Sequence, residues 1–270
     1  MPELLVQLTD LHVRADADRD IAAERVDRAI ELVRRLDPRP AAILLTGDLV
    51  NSGAPEEYTL LVELLAPLLA LGIPVLPLVG NHDDRALLRE CLSGAPNVAH
   101  LGRERHLQYE WRAGSFRVLC LDTQHTGHDD GKYCDTRHAW LAARLAEDPE
   151  TPTILAMHHP TFQLGLPAMD ELAVRADHAA RFEALVAASP AVERIVCGHV
   201  HRAATARVAH APAFACPSVF LPLRPDLQPG ARITLVDGPV GIGLHVRTPD
   251  GRLASHVRVI GPVPHAAPVD

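Results

Sequence analysis

Lysine is almost missing from this chain: among 270 residues only Lys132 is one. Lysine and arginine together number 26 against 34 aspartates and glutamates, a formal net charge of −8 with the histidines neutral. No basic run forms a stripe that could track a phosphate backbone, which excludes an extended nucleic acid as partner. That count omits any bound metal, which could reverse the sign locally. Cysteine is sparse too. Cys91, Cys120, Cys134, Cys197 and Cys216 are odd in number, scattered, and free of any C-x-x-C pair, which argues against a zinc ribbon or a disulfide framework and fits a reducing cytoplasm. Cys120, Cys197 and Cys216 lie in apolar runs and read as small core residues. No apolar run approaches the roughly eighteen residues of a membrane span. The start, "ELLVQLTD", shows no basic region, long apolar stretch or cleavage site, so no leader is expected. No Gly-x-Ser-x-Gly elbow occurs, and "GDLVNSG" lacks the lysine of a phosphate-binding loop.

Apolar residues make up 47% of the chain and charged residues 22%, ample for a packed core. Strands are expected at Leu4 to Leu8, Ala41 to Thr46, Ile73 to Val79, Phe116 to Leu121, Thr153 to Met157 and Arg194 to Cys197. Helical patterns lie between them: about Asp20 to Leu36, from Pro55 until Gly72, Asp84 to Leu92, a helix capped by Asp135 or Thr136, and Asp177 to Ala188. Leu107 to Arg112 pairs with the strand at Phe116 as a hairpin. From Ala203 onward short strands separated by Pro, Gly and Asp replace the alternation. The sum is an α/β chain, most simply one domain over 1–270. It comprises a motif-bearing core (1–202), a β-rich segment (203–260) and a loosely held Pro- and Ala-rich tail (261–270).

Each strong apolar strand is followed at once by metal-capable side chains: Asp10-x-His12, Gly47-Asp48, Gly80-Asn81-His82, His158-His159 and Gly198-His199-x-His201. In open α/β sheets, sites assemble beyond the carboxyl ends of strands, so five strand ends would bring these groups together. In extended backbone, residues i and i+2 face one side, which aims Asp10 with His12 and His199 with His201. His158 and His159 are adjacent and cannot both point inward. Carboxylate, amide oxygen and imidazole suit iron, manganese, zinc or cobalt. Seven groups (Asp10, His12, Asp48, Asn81, His158, His199, His201) exceed one tetrahedral ion, so two ions are the economical reading. One carboxylate must then bridge, and Asp48 is the choice. A lone Asp-x-His or Gly-Asn-His is more often ordinary loop chemistry; the case rests on all five in one order. The remaining histidines, among them His106, His125, His128 and His245, lack this strand-end context and read as surface or core.

The order D-x-H, G-D, G-N-H, H-H, G-H-x-H over residues 10–201 resembles the calcineurin-like metallophosphoesterase family. "GNHDDRALL", "MHHPTFQLGLPAMD" and "RIVCGHVH" are similar to its bacterial cyclic-nucleotide and glycerophosphodiester phosphodiesterases. The resemblance implies a four-layer α/β/β/α sandwich with two mixed β-sheets and a dinuclear centre at the strand ends. Asp10, His12, Asp48 and His201 would hold the first ion, and Asp48, Asn81, His158 and His199 the second. His82 matches the histidine that contacts the substrate phosphate, and His159 matches no ligand. Phe220 falls where several relatives place a histidine. The resemblance also implies a homodimer or higher homo-oligomer.

The expected chemistry is hydrolysis of a small phosphodiester by in-line attack of a hydroxide bridging two ions about 3.5–4 Å apart. Asp48 holds both ions, Asn81 donates its amide N–H outward, and His82 stabilises the transition state or protonates the leaving group. Asp83 and Asp84 read as partners of the ligands or as a helix cap. Gln163 to Asp177 and Gln124 to Tyr133 are the expected substrate segments. Rival readings are a phosphomonoesterase or pyrophosphohydrolase of the same fold, or a non-catalytic scaffold. A monoester dianion calls for extra cations, and only Arg85, Arg202 and Arg224 lie near the motifs, which favours diesters.

Overall fold

A computed structural model describes residues 3–102 and 104–261; the expected loose tail beyond Gly261 lies outside them. Five strands form the first sheet in the order β11-β10-β1-β2-β3. β1 (Glu3–Leu8), β2 (Ala42–Thr46) and β3 (Val75–Leu78) run parallel, and β10 (Val240–Arg247) and β11 (Leu253–Ile260) add antiparallel. The second sheet has the order β4-β5-β6-β7-β9-β8. Its parallel centre is β5 (Phe116–Cys120), β6 (Thr153–Ala156), β7 (Val192–Cys197) and β9 (Ala211–Ala215), with β4 (Tyr109–Ala113) and β8 (Ala204–Val208) antiparallel at the edges. The β-rich end of the sequence therefore splits: β8 and β9 complete one sheet, β10 and β11 the other.

The burial pattern explains why these strands read as unbroken apolar runs. Along β5, Val118 and Cys120 join a core shared with β1, β2 and β3, whereas Leu119 packs with residues of α4 and α6. Both faces of each central strand are covered, so no polar alternation survives. Helices α1 (Arg19–Arg34), α2 (Pro55–Leu69) and α3 (Arg85–Leu92) bury their apolar faces in the first core; α4 (Asp135–Glu147) and α6 (Ala176–Ala187) bury theirs in the second. This is the four-layer arrangement the resemblance implied. In α1, Val26, Ile30 and Val33 are the buried stripe, as their spacing demands.

Local chemistry sets the ends. Pro55 opens α2 with Glu56 and Glu57 in the first turn, a terminus suited to carboxylates. Asp84 caps α3, its carboxylate accepting from Ala86 N at 2.8 Å and Leu87 N at 2.9 Å. Two boundaries differ from expectation. The residue before α4 is Cys134, with no side-chain cap hydrogen bond, because Asp135 already lies in the first turn and its carboxylate pairs with Arg181. A short helix, α5 (Pro167–Asp170), interrupts the expected substrate loop, where Pro167 sets its first turn. Among the described residues no helix is long and apolar enough to cross a membrane.

Candidate metal centre

Asp10 follows β1, Asp48 follows β2, Asn81 follows β3, His158 follows β6 and His199 follows β7. All leave their sheets at the same carboxyl edge, where such sites form. The backbone here is not extended. Seven described non-glycine residues have positive φ, and five are Asp10 (52°), His12 (43°), Asp48 (50°), His199 (69°) and His201 (52°). The paired residues thus converge through left-handed turns rather than through strand alternation, correcting the expectation from i, i+2 spacing. Such backbone is unfavourable for residues with a Cβ and persists where the surroundings over-determine it.

Two motif glycines have a steric reason. A Cβ on Gly80 would collide with the Asp48 carboxylate, and one on Gly198 would collide with the Thr9 hydroxyl and stand 3.0 Å from Asp10 Oδ2. The strands are drawn together more closely than any side chain at these positions allows.

Asp48 stands at the centre. Its Oδ2 lies 3.3 Å from His158 Nε2, 3.7 Å from His12 Nε2 and 4.0 Å from His82 Nε2, while Oδ1 accepts from His82 N at 2.9 Å. On one side His12 Nε2 and His201 Nε2 are 3.1 Å apart, and His201 Nε2 is 3.5 Å from Asp10 Oδ1. On the other, Asn81 Oδ1 lies 3.1 Å from both His158 Nε2 and His199 Nδ1. All seven predicted ligand positions come together, in two groups that meet at Asp48, and His82 joins them at the rim.

Three of the four far ring nitrogens are already engaged. His158 Nδ1 is 2.8 Å from Thr46 O, His201 Nδ1 is 2.8 Å from Leu221 O, and His12 Nδ1 is 3.3 Å from Asn51 Oδ1. Each acceptor fixes a proton on Nδ1 and leaves the Nε2 lone pair facing inward, as metal-binding histidines require. The facing His12 and His201 lone pairs repel one another unless a positive charge stands between them. His199 Nε2 is buried with no hydrogen-bond partner.

The titration behaviour agrees. Burial pushes the Asp10 carboxyl up and the His12 imidazole well down. Burial, then His158, lowers His199 to about 3. Burial alone would disfavour charge on Asp48 and His158, but their mutual attraction outweighs it. Asp48 is held well below the usual carboxylate range and His158 rises to about 9. A proton is thus retained where two neutral imidazoles and a carboxylate offer lone pairs, which is the behaviour of a cavity built for cations. The residues fit a pair of metal ions.

Supporting contacts surround the ligands. Asp83 accepts from Leu49 N at 3.0 Å, Val50 N at 3.2 Å and Gly80 N at 2.8 Å, locking the loops of Asp48 and Asn81 together. His159 Nδ1 lies 2.8 Å from Thr123 Oγ1, while its Nε2 is buried without a hydrogen-bond partner beside His158 and His199, so the geometry does not separate it from the ligand set.

The calcineurin-like phosphoesterase family matches this chain over residues 4–203. The chain belongs to that family. It is a hydrolase, as members of the family are. It is 36% identical over 204 residues to a glycerophosphodiester phosphodiesterase of Enterobacter lignolyticus, spanning 73% of this chain and 70% of that protein. A cAMP/cGMP dual specificity phosphodiesterase of Mycobacterium tuberculosis is 36% identical over 208 residues, 73% of this chain but only 61% of that protein. Among solved structures, a dimetal phosphatase from Danio rerio superimposes with a TM-score of 0.66, covering 96% of this chain and 99% of its own at 14% identity; that likeness concerns the fold.

This phosphoesterase also carries residues that the motifs did not flag. Asn51 positions two histidines, His12 through its side-chain oxygen and His82 through its carbonyl at 2.5 Å. Its one signal is an amide three residues beyond Asp48. The Thr46 and Leu221 carbonyls leave no side-chain signal at all. Phe220 stands 5.9 Å from the His12 ring, with the Arg14 guanidinium 5.6 Å over its own ring, so an aromatic–cation pair occupies the rim where relatives were expected to place a histidine.

Proposed function

We propose that this phosphoesterase is a dinuclear-metal-dependent phosphodiesterase acting on small diesters of the cyclic-nucleotide or glycerophosphodiester type. The observation that carries the reading is Asp48 Oδ2, placed between two imidazole groups and within 4.0 Å of His82 Nε2. Asp10, His12, Asp48 and His201 would hold one ion, and Asp48, Asn81, His158 and His199 the other. With carboxylate, amide and imidazole donors and no thiolate, iron, manganese, zinc or cobalt fits. When bound, such ions neutralise phosphoryl charge and lower the pKa of a coordinated water.

The chain's own groups do the rest. Asn81 presents its oxygen to His158 and His199, which turns its amide N–H outward toward a substrate oxygen. Asn51 O holds the His82 Nδ1 proton, so the partly exposed Nε2 is the end that meets the ester. Protonated there, His82 can hand a proton to the departing alkoxide.

Diesters are favoured because free cations are scarce. The Arg85 fork is spent on Asp122, Arg202 donates to Leu223 O, and Arg14 pairs with Asp16. Among the described residues Arg224, exposed and outside any ion pair, is the one guanidinium left near the motifs, against the two charges of a monoester dianion. Retention of every ligand position argues against a scaffold. Residues 1–270 are read as one domain, because β10 completes the sheet begun by β1. The five free cysteines support a cytoplasmic location.

The test is turnover of manganese-reconstituted protein on bis-nitrophenyl phosphate, cyclic AMP, a glycerophosphodiester and a nitrophenyl monoester. Diester preference is the expected result. A faster monoester would overturn the substrate class, and silence on all four with two ions bound would favour the scaffold.

A further inference from the structure

The single lysine of the chain does not sit alone on the surface. Lys132 lines a 450 Å³ cavity between the start of α3, the start of α4 and the loop after β5, and so do Arg85, Arg105, His106, Cys134 and Arg137. That volume lies within the range of about 300–1,000 Å³ typical of small-molecule pockets. None of its lining residues belongs to the metal centre. Four side chains that carry full positive charge converge there in a protein whose net charge is −8.

A carboxylate faces them. Asp122 receives Arg85 Nε at 2.6 Å, Arg85 Nη2 at 2.8 Å and Arg137 Nη1 at 3.2 Å, so its charge is shared by two guanidinium groups. Neither Arg105 nor Lys132 has an ion-pair partner among the described residues. A second carboxylate, Asp130, meets the lining residue His125 at 2.8 Å, so four positive charges against two negative charges leave an excess of two. Two neighbours register that excess. Burial, then Arg137, lowers His106 to about 4. Burial opposes ionisation of Cys134, but Arg137, with Nε 3.5 Å from its Sγ, outweighs it and lowers the thiol pKa. Packing like charges around a concave surface is unfavourable until a counter-ion enters.

We propose that this cavity is a second ligand site, separate from the metal centre, that binds a phosphate-class oxyanion through Arg105, Lys132 and the unspent N–H groups of Arg85 and Arg137. Phosphate suits the place better than a lone carboxylate, because donors approach from several elements and the excess charge exceeds one. The cavity also shares a wall with the catalytic loop. Gln124 lines it and donates Nε2 to Gly80 O at 2.7 Å, and Arg85 follows His82 by three residues.

Cys134 reports on occupancy. Cys120, Cys197 and Cys216 are buried, and burial raises the half-buried Cys91 to about 11. Iodoacetamide should therefore alkylate Cys134 first, read peptide by peptide by mass spectrometry on the metal-loaded protein. Inorganic phosphate at constant ionic strength is expected to slow that alkylation. In the Arg105→Gln, Lys132→Gln double variant the half-protecting phosphate concentration should rise about tenfold or more, the effect of losing a charge-assisted hydrogen bond. Protection should persist in Asp48→Ala. Equal protection in the double variant, or no protection in the parent, would overturn the site. Protection that disappears in Asp48→Ala would place the phosphate at the metal centre and would also overturn it.

Discussion

Arg85 grips Asp122 with two edges of its guanidinium, Nε on Oδ2 at 2.6 Å and Nη2 on Oδ1 at 2.8 Å. The pair ties the first turn of α3, three residues beyond His82, to the end of β5 in the other sheet. Asp122 is fully buried and also receives Arg137. Removing it leaves two guanidinium groups uncompensated. Asp122→Ala is expected to destabilise the fold by about 3–5 kcal/mol, read as a lower midpoint in urea. A loss below about 1 kcal/mol would mean that water or the Gln124 carbonyl suffices.

Asp48 offers the sharpest test of a shared ligand. Asp48→Ala should lose both ions in metal analysis and lower turnover by at least about 10²-fold, since the charge stabilisation supplied at such centres is worth that much or more. If one ion stayed and the rate were unchanged, the bridging role would be wrong.

His82 should separate binding from chemistry. Its ring does not complete either ligand group, so His82→Ala is expected to retain both ions. Its rate on a diester with a poor alkoxide leaving group should fall by about 10²–10⁴-fold, the usual reach of a general acid, with a much smaller loss on a nitrophenyl leaving group that needs no proton. Equal losses on both substrates would reassign His82 to phosphate binding.

The strand ends were legible because parallel strands buried on both faces leave unbroken apolar runs, and polar residues after such runs stand out. Val75 to Leu78 followed by Gly80, Asn81 and His82 is the clearest case. The metal-capable side chains at those strand ends were legible for the same reason. What stayed hidden was carried by backbone. The left-handed turns at Asp10 and His199, and the carbonyls of Thr46 and Leu221 that orient His158 and His201, have no side-chain signature. The cavity around Lys132 was hidden differently. Its cations come from three separate stretches of chain and form no run, so only the folded arrangement exposes them.

His245 was read as surface or core, and it is core with a polar task. Gln7 spends its amide hydrogens on Thr46 Oγ1 at 2.8 Å and Cys197 O at 3.0 Å, so its oxygen must accept from His245 Nε2 at 3.1 Å. His245 Nδ1 then accepts from Ser255 Oγ at 2.8 Å. Burial, then Arg194, lowers its pKa to about 3. Below the ordinary histidine value of about 6.5 the unfolded chain takes up a proton that the native protein refuses. Stability therefore falls as pH drops from about 6.5 toward 3, by up to about 1.4 kcal/mol per pH unit from this residue. His245→Gln should be less stable than the parent at pH 8, and the gap should narrow by about that amount between pH 6 and pH 5 in urea unfolding. Parallel stability curves across that interval would show that His245 titrates normally in the folded protein.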